Sequence, residues 1–185
     1  MGNLYAGRRA VKLASAIMGA DRDPIIDRLI EAFSADIERQ TRRLFIPKTQ
    51  TRVFRWPSHQ PSEGYILYLD EDLLSVTTLK TKAQDTTPTT IVAADYFLEP
   101  ANFGPPYTRI EIDLSSNAAL ESGDTPQRSL EVVGSWGYAN ATRTGGTVSS
   151  GLATDAAATS MVCSNGSLID VGDALLIESE QVQVT

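Results

Sequence analysis

Apolar residues recur at helical spacing in one long stretch near the start of the chain. Thr41 fills the gap in a row of apolar positions: Ile26, Leu29, Ile30, Phe33, Ile37 and Leu44. This spacing predicts an amphipathic helix over residues 24–45, with its apolar side on a core. Asp23 before Pro24 indicates an N-cap and a first turn, and Pro47 indicates the end of the helix.

A second, shorter helix is predicted before it, over residues 4–19. Its apolar row is Ala10, Leu13, Ala14, Ile17 and Met18, and Gly19 is the expected C-cap. Residues 21–23 form the turn between the two helices, so the N-terminal part is predicted to be a helix pair.

Beyond Pro47 the pattern changes from helical spacing to alternation. Residues 49–56, 65–69, 74–82, 109–114 and 130–138 are predicted strands, and 91–98 holds two short strands or one kinked strand. The acidic residues 70–72 are predicted to be a turn, residues 100–107 a proline-rich loop, and residues 117–121 one helical turn. Strands joined by such turns indicate an antiparallel sheet rather than βαβ units.

The chain is therefore predicted to be an α+β protein with a helix pair, a small antiparallel sheet and a C-terminal β-rich extension. The expected core covers residues 1–140, residues 141–157 are a Gly/Thr/Ser linker, and residues 158–185 are the extension. Asn165-Gly166 is a strong turn signal within that extension. The last residues alternate up to Thr185, which predicts either a chain that continues or an edge strand that pairs with a neighbouring subunit.

Composition and charge limit the possible functions. The chain has 185 residues, 42% of them hydrophobic, and a formal net charge of −7, which argues against a freestanding nucleic-acid binder. Nine basic and six acidic residues lie in 1–48, whereas seven basic and seventeen acidic residues lie in 49–185. The single cysteine, Cys163, excludes an intrachain disulfide and fits a reducing cytoplasm, and no apolar run has membrane-spanning length.

Candidate chemistry is sparse. His59, the only histidine, is predicted to be a surface-loop residue, and Cys163 a small apolar residue of a strand. The acidic residues 70–72 lack the further ligands and the glycine of a calcium loop, and no glycine-rich stretch precedes a helix. We therefore predict no catalytic, cofactor-binding or metal-binding residue, and no enzymatic activity.

Seven segments occur in a fixed order, the helix end 29–45 and six β segments between residues 52 and 138. Together they resemble one protein family, the head-to-tail adaptor (neck connector) proteins of tailed bacteriophages. The helix end 29–45 is similar to the adaptor helix, which closes on arginine and an aromatic residue. The β segments that follow it resemble sequence segments of the family and occur in the same order: 52–54, 68–70, 74–80, 95–102, 106–112 and 130–138. The resemblance covers residues 20–140, and the linker and β-rich piece after Tyr138 depart from the helices that many adaptors have there.

The resemblance implies a virion structural protein made in the host cytoplasm and located in the neck, between head and tail. Such proteins form a ring, commonly of about twelve copies, below the portal protein, extend the DNA channel for genome ejection and dock the next neck or tail protein. The acidic balance agrees with DNA that slides through without sequence-specific binding, and no membrane or cofactor is expected.

Two groups of residues are candidates for these contacts. Arg39, Arg42, Arg43 and Glu38 are predicted to lie at subunit interfaces or at the channel. The predicted portal-docking segment consists of Val148, Leu152, Val162, Leu175, Ile177, Val182 and Val184. Two alternatives remain open: another phage tail or baseplate protein, and a carbohydrate-binding β-module that uses the tryptophan and tyrosine side chains.

Overall fold

The computed structural model describes residues 4–57, 64–138, 147–150, 162–166, 169, 173–177 and 180–184. It shows an α+β chain with two helices and a six-stranded antiparallel sheet, which confirms the predicted class. Contacts group the chain into two compact units, Met1–Arg42 with Ala141–Thr185, and Arg43–Asn140. We call them the helical unit and the sheet unit; the predicted domain boundaries stay a prediction.

Helix α1 is shorter than predicted and turns its apolar side outward. It spans Arg8–Ala14, and Ala16 has a positive φ of 52°, so the helix stops before Gly19. Leu13 is 83% exposed and Met18 is 93% exposed. The reason is electrostatic, because Arg8 and Lys12 on the opposite side form ion pairs with acidic residues at the start of the next helix.

Helix α2 spans Asp23–Thr41 and ends four residues earlier than predicted. Arg42 adopts the left-handed conformation, with φ 53° and ψ 36°, so Leu44 lies outside the helix. Arg22, not Asp23, is the N-cap. Asp23 is the first helical residue, and its carboxylate accepts from Lys12 Nζ at 2.6 Å instead of capping the helix.

The sheet has its strands in the order β1-β6-β2-β5-β4, with β3 paired to β2. The strands are β1 Lys48–Phe54, β2 Ile66–Thr81, β3 Thr89–Ile91, β4 Tyr96–Glu99, β5 Tyr107–Ile112 and β6 Leu130–Trp136. A short 3-10 helix, Ala93–Asp95, precedes β4. The short strands β3 and β4 and the loop before β5 follow the prediction. Every strand pair of this sheet is antiparallel.

The core of the sheet unit lies on one face of the sheet. Buried and partly buried residues alternate along β6, as expected for a strand that has one face on a core. Trp136 is completely buried, and its indole Nε1 donates to the carbonyl oxygen of Gln50 on β1 at 3.1 Å. The buried cluster comprises Trp56, Leu67, Leu73, Leu79, Ile91, Ile110, Ile112, Leu120, Leu130, Val132 and Trp136.

The acidic segment 70–72 is not a turn. It lies inside β2, so the two strands predicted on either side of it are one strand of 16 residues. The pairing register with β5 shifts between Tyr68 and Leu73, and Leu73 and Leu74 are both buried. An extended strand survives here because the bulge absorbs the change of side-chain direction and basic side chains pair with the carboxylates.

Two further sequence predictions are wrong in this unit. Residues 117–121 form no helical turn, because Thr81 on β2 bonds the backbone of Glu121 through its hydroxyl, at 2.7 Å to the N–H and 2.9 Å to the carbonyl oxygen. Strand β5 ends at Ile112 rather than at Leu114, whose side chain is exposed.

Four short strands are described in the C-terminal part of the chain. Strand β7 (Val148–Ser150) pairs with β8 (Val162–Cys163), and β9 (Ala174–Ile177) pairs with β10 (Glu180–Gln183). The predicted pairing of the last strand with a neighbouring subunit stays a prediction, because β10 has β9 on one edge and, among the described residues, the two-stranded sheet leaves its other edge open. Cys163 is half-buried, and His59 lies outside the described residues.

Candidate interaction surfaces

Helix α2 carries two neighbouring rows of side chains with opposite environments. The inner row, Ile26, Ile30 and Ser34, is buried. The outer row is exposed, with relative exposures between 43% and 65%: Ile25, Leu29, Phe33 and Ile37. Because a helix has 3.6 residues per turn, positions four apart form a continuous ridge, and these two ridges run side by side.

The start of the chain is bonded to the inner row through Ser34. Ser34 donates its hydroxyl proton to the carbonyl oxygen of Ile30 at 2.7 Å and accepts the N–H of Tyr5 at 3.1 Å. The Tyr5 hydroxyl donates to the Glu38 carboxylate at 2.5 Å. These bonds satisfy the polar groups on the inner side of α2 and hold residues 4–8 against it.

A third row of α2 runs beside the outer row and alternates in charge. Arg28 and Ala32 are exposed, and Asp36 lies one turn further along. Asp36 accepts from Arg39 and, at 2.6 Å, from the Gln40 amide. The outer surface of α2 is thus an apolar ridge beside a positive and a negative side chain that are eight residues apart.

The four predicted interface residues have separate structural roles. Arg39 is largely exposed and forms an ion pair with Asp36 on its own helix, and Arg42 ends α2. Glu38 accepts from Tyr5. Arg43 belongs to the sheet unit.

Arg43 and Arg52 hold the acidic segment of β2. Arg43 lies 3.4 Å from the Asp72 carboxylate and stacks 4.5 Å above the ring of Tyr138. Arg52 lies 3.5 Å from Asp70. It also contacts the Glu71 carboxylate at 2.5 Å and stacks 4.8 Å from the centre of the Trp136 ring. The carboxylates predicted to form a solvated turn are instead neutralised by arginine, so they are poorly suited to hold a cation.

The sheet unit also has a polar groove of about 500 Å³ near β3. Thr81, Thr89, Thr90 and Ser116 contribute hydroxyl-bearing side chains, and Ile91 adds an apolar one. Glu121, at its rim, pairs with Lys82 at 2.6 Å and raises the pKa of that ammonium group. The described residues contain no cluster of three metal-ligating side chains.

The tryptophans do not form the exposed platform that the carbohydrate alternative requires. Trp56 and Trp136 are both buried in the sheet core. The ring of Tyr138 is partly exposed, but Arg43 stacks on it, and Phe45 packs edge-on at 5.6 Å. Tyr96 is half-buried, and burial raises the pKa of its hydroxyl.

The predicted portal-docking residues are distributed over two small hairpins. Val148 and Val162 lie on β7 and β8, and Leu175, Ile177 and Val182 lie on β9 and β10. Val162 and Val182 are exposed, whereas Leu175, Ile177 and Val184 are half-buried. Leu152 lies outside the described residues.

Comparison of the chain with known protein families, with curated proteins and with solved structures finds no match. Among the described residues, no helix combines the length and the apolar character that crossing a bilayer requires.

Sequence reasoning missed the outer row as a surface. The sequence predicts Leu29, Phe33 and Ile37 on the core side of the helix together with the inner row, and it does not single out Ile25. One signal was present: the apolar positions of both rows together cover more of the helix circumference than a single core-facing stripe needs.

Proposed function

We propose that this chain is a virion structural protein, a head-to-tail adaptor subunit of a tailed bacteriophage. Copies of it form a ring of about twelve below the portal, extend the DNA channel and dock the next neck or tail protein. The protein is not an enzyme in this proposal, and its site of action is the neck of the virion.

The observation that carries the proposal is the outer row of α2. Four large apolar side chains on one ridge are exposed in the single chain, where monomeric proteins seldom leave a contiguous apolar surface. A subunit of a permanent assembly needs such a surface. The segments that resemble adaptors, which follow one another in the family's order from the helix end 29–45 to 130–138, support the same role.

Charge supports the proposed passage of DNA. The chain has 16 basic and 23 acidic residues, so it is poorly suited to hold a duplex through many phosphate contacts. Arg39 and Arg42 remain candidates for the ring interface or the channel. Arg43 is a weaker candidate, because Asp72 and Tyr138 already occupy its guanidinium group.

The test is assembly with the portal. The full chain is mixed with the purified portal ring of the same phage and studied by negative-stain microscopy and mass measurement. We expect a second ring stacked on the portal. Rings of three or six copies that do not bind the portal would instead favour a tail or baseplate protein. A failure to assemble with any virion component would refute the proposal.

The basic end of α2 is tested in the same assay. Arg39→Glu and Arg42→Glu should lower the yield of stacked rings, whereas Arg22→Glu, the same change at the other end of α2, should leave it unchanged. Equal yields of stacked rings for all three variants would show that Arg39 and Arg42 are not at the interface.

In the proposed assembly the C-terminal β-rich extension reaches the portal. Val162 and Val182 are exposed apolar side chains in its described part, so Val162→Asp combined with Val182→Asp should weaken portal binding in the full chain. Ring formation without the portal should not change. Unaltered portal binding would show that docking uses another surface.

A further inference from the structure

We propose that the outer row of α2 is a self-complementary contact: in the free protein it packs antiparallel on α2 of a second copy, about a two-fold axis at Ala32. The proposal goes beyond the ring described above and does not rest on it, because it follows from the arrangement of side chains on one helix.

The outer row has the extent of a helix-packing ridge. It runs from Ile25 to Ile37, which at 1.5 Å per residue is about 18 Å of helix. Both ends and the middle of this ridge are exposed. Leu13 and Met18, exposed near α1, enlarge the apolar surface of the same unit.

Reversing the helix maps the ridge onto itself. In an antiparallel pair about an axis level with Ala32, Leu29 of each copy comes within about 3 Å along the helix of Phe33 of the other copy, and Ile25 comes equally close to Ile37 of the other copy. Apolar side chains therefore meet apolar side chains along the whole contact. Ala32, on the neighbouring row, lies at the axis, where a small side chain lets two backbones approach closely.

The charged row selects the antiparallel direction. With the axis at Ala32, Arg28 of each copy lies opposite Asp36 of the other, so the dimer gains two pairs of opposite charge. A parallel pair would place the charged row of each copy across from the buried inner row of the other, so neither pair of opposite charges would form. The hydrogen bonds of Asp36 to its own helix do not prevent this, because a carboxylate has about four acceptor sites.

A contact of this symmetry closes on itself. An isologous interface uses the same patch on both copies, so it stops at two, whereas a ring uses two different patches. The dimer thus covers the apolar ridge in the free protein without starting a ring, and ring formation requires that the dimer separates.

Charge reversal tests the register in the full chain. Sedimentation equilibrium over a concentration series should show a reversible dimer of the unmodified protein. Asp36→Arg should raise the dissociation constant about tenfold or more, because each Arg28 then faces an arginine. The double variant Arg28→Asp with Asp36→Arg should return it to within about threefold of the starting value. Glu31→Arg, the same reversal on the other side of α2, is the matched control and should have no effect.

Cross-linking tests the direction independently. In a Cys163→Ser background, Ile25→Cys and Ile37→Cys proteins are mixed and treated with a short bismaleimide. The antiparallel contact predicts a cross-link between the two variants and little between copies of one variant. Circular dichroism confirms that each variant keeps its helices.

Several results would overturn the proposal. They are a protein that stays monomeric at every concentration, a dissociation constant that Asp36→Arg leaves unchanged, and cross-links between identical positions. Rings of the free protein without a dimer would also overturn it, and they would leave the portal experiment to decide the proposed function separately.

Discussion

Gly134 lies on β6 where the backbone of β2 comes closest to it. A methyl group on Gly134 would lie 2.1 Å from the carbonyl oxygen of Ser75 and 3.3 Å from Cδ1 of Leu73. The first contact is with backbone in a neighbouring strand, so no rotamer change relieves it. Gly134→Ala should therefore force β6 and β2 apart by about 1 Å, given the usual limit for carbon–oxygen contacts.

The cost follows from what this displacement breaks. Gly134 is paired with Val76 beside a register shift of β2, and Ser135 is paired with Ser75. Overpacking a well-filled core costs roughly 1–3 kcal/mol, and each ladder hydrogen bond that is lost adds about 1 kcal/mol. We expect Gly134→Ala to lower the free energy of unfolding of the sheet unit by about 3 kcal/mol, a large part of a typical domain's stability.

Intrinsic fluorescence during urea unfolding measures this effect in the full chain. Both tryptophans of the protein, Trp56 and Trp136, are buried in the sheet unit, so their emission reports the unfolding of that unit. Gly64→Ala is the matched control, because a Cβ at Gly64 meets no atom within 4 Å. If Gly134→Ala and Gly64→Ala unfold at the same urea concentration, the backbones of β6 and β2 do not approach each other as closely at Gly134 as described.

Three further predictions concern single side chains. Ser34→Ala should cost the helical unit about 1 kcal/mol and free the N–H of Tyr5, which limited proteolysis near the N-terminus detects. Hydrogen bonds from the Ser115 N–H and, to a smaller extent, from its hydroxyl lower the pKa of Asp113. The stability that they add is therefore present above the ordinary value of 3.8 and is lost as pH falls through the lower folded pKa. Asp113→Asn should thus unfold more readily than the unmodified protein at neutral pH, with the difference vanishing in acid. Arg52→Lys, which loses the flat stack on the Trp136 ring, should cost about 1 kcal/mol in urea unfolding.

Each of these has an outcome that contradicts it. Ser34→Ala with unchanged proteolysis would mean that the start of the chain is not held by that hydroxyl. If the difference in unfolding free energy between Asp113→Asn and the unmodified protein became larger in acid, the predicted sign of the pH dependence would be wrong. Arg52→Lys with unchanged stability would mean that charge alone, without stacking, neutralises the acidic segment.

Periodicity and turn chemistry predicted most of the individual elements but not their neighbours. The alternation of apolar and polar residues located β1, β5 and β6 to within a few residues, because one face of each strand is buried. That β6, last in the chain among these strands, lies between β1 and β2 depends on long-range pairing, which local pattern does not encode.

The acidic segment 70–72 shows how tertiary contacts override local propensity. Three consecutive acidic residues favour a solvated turn in isolation. In the fold, Arg52 and Arg43 come from distant parts of the chain and neutralise them, so β2 continues through the segment. The same contacts remove the candidate cation site and, with Trp136 under Arg52, the exposed aromatic platform.

The sequence by itself determined that an amphipathic helix starts near Pro24, because spacing at 3.6 residues and an initial proline are local properties, although it placed the end at residue 45 instead of Thr41. Only the tertiary structure decided which of its apolar rows packs against the rest of the protein. Tyr5 and Ser34 hold the start of the chain on the inner row, while Leu29 and Phe33 remain exposed. The physical reason is that burial depends on what reaches each face, and periodicity specifies a face without specifying its partner.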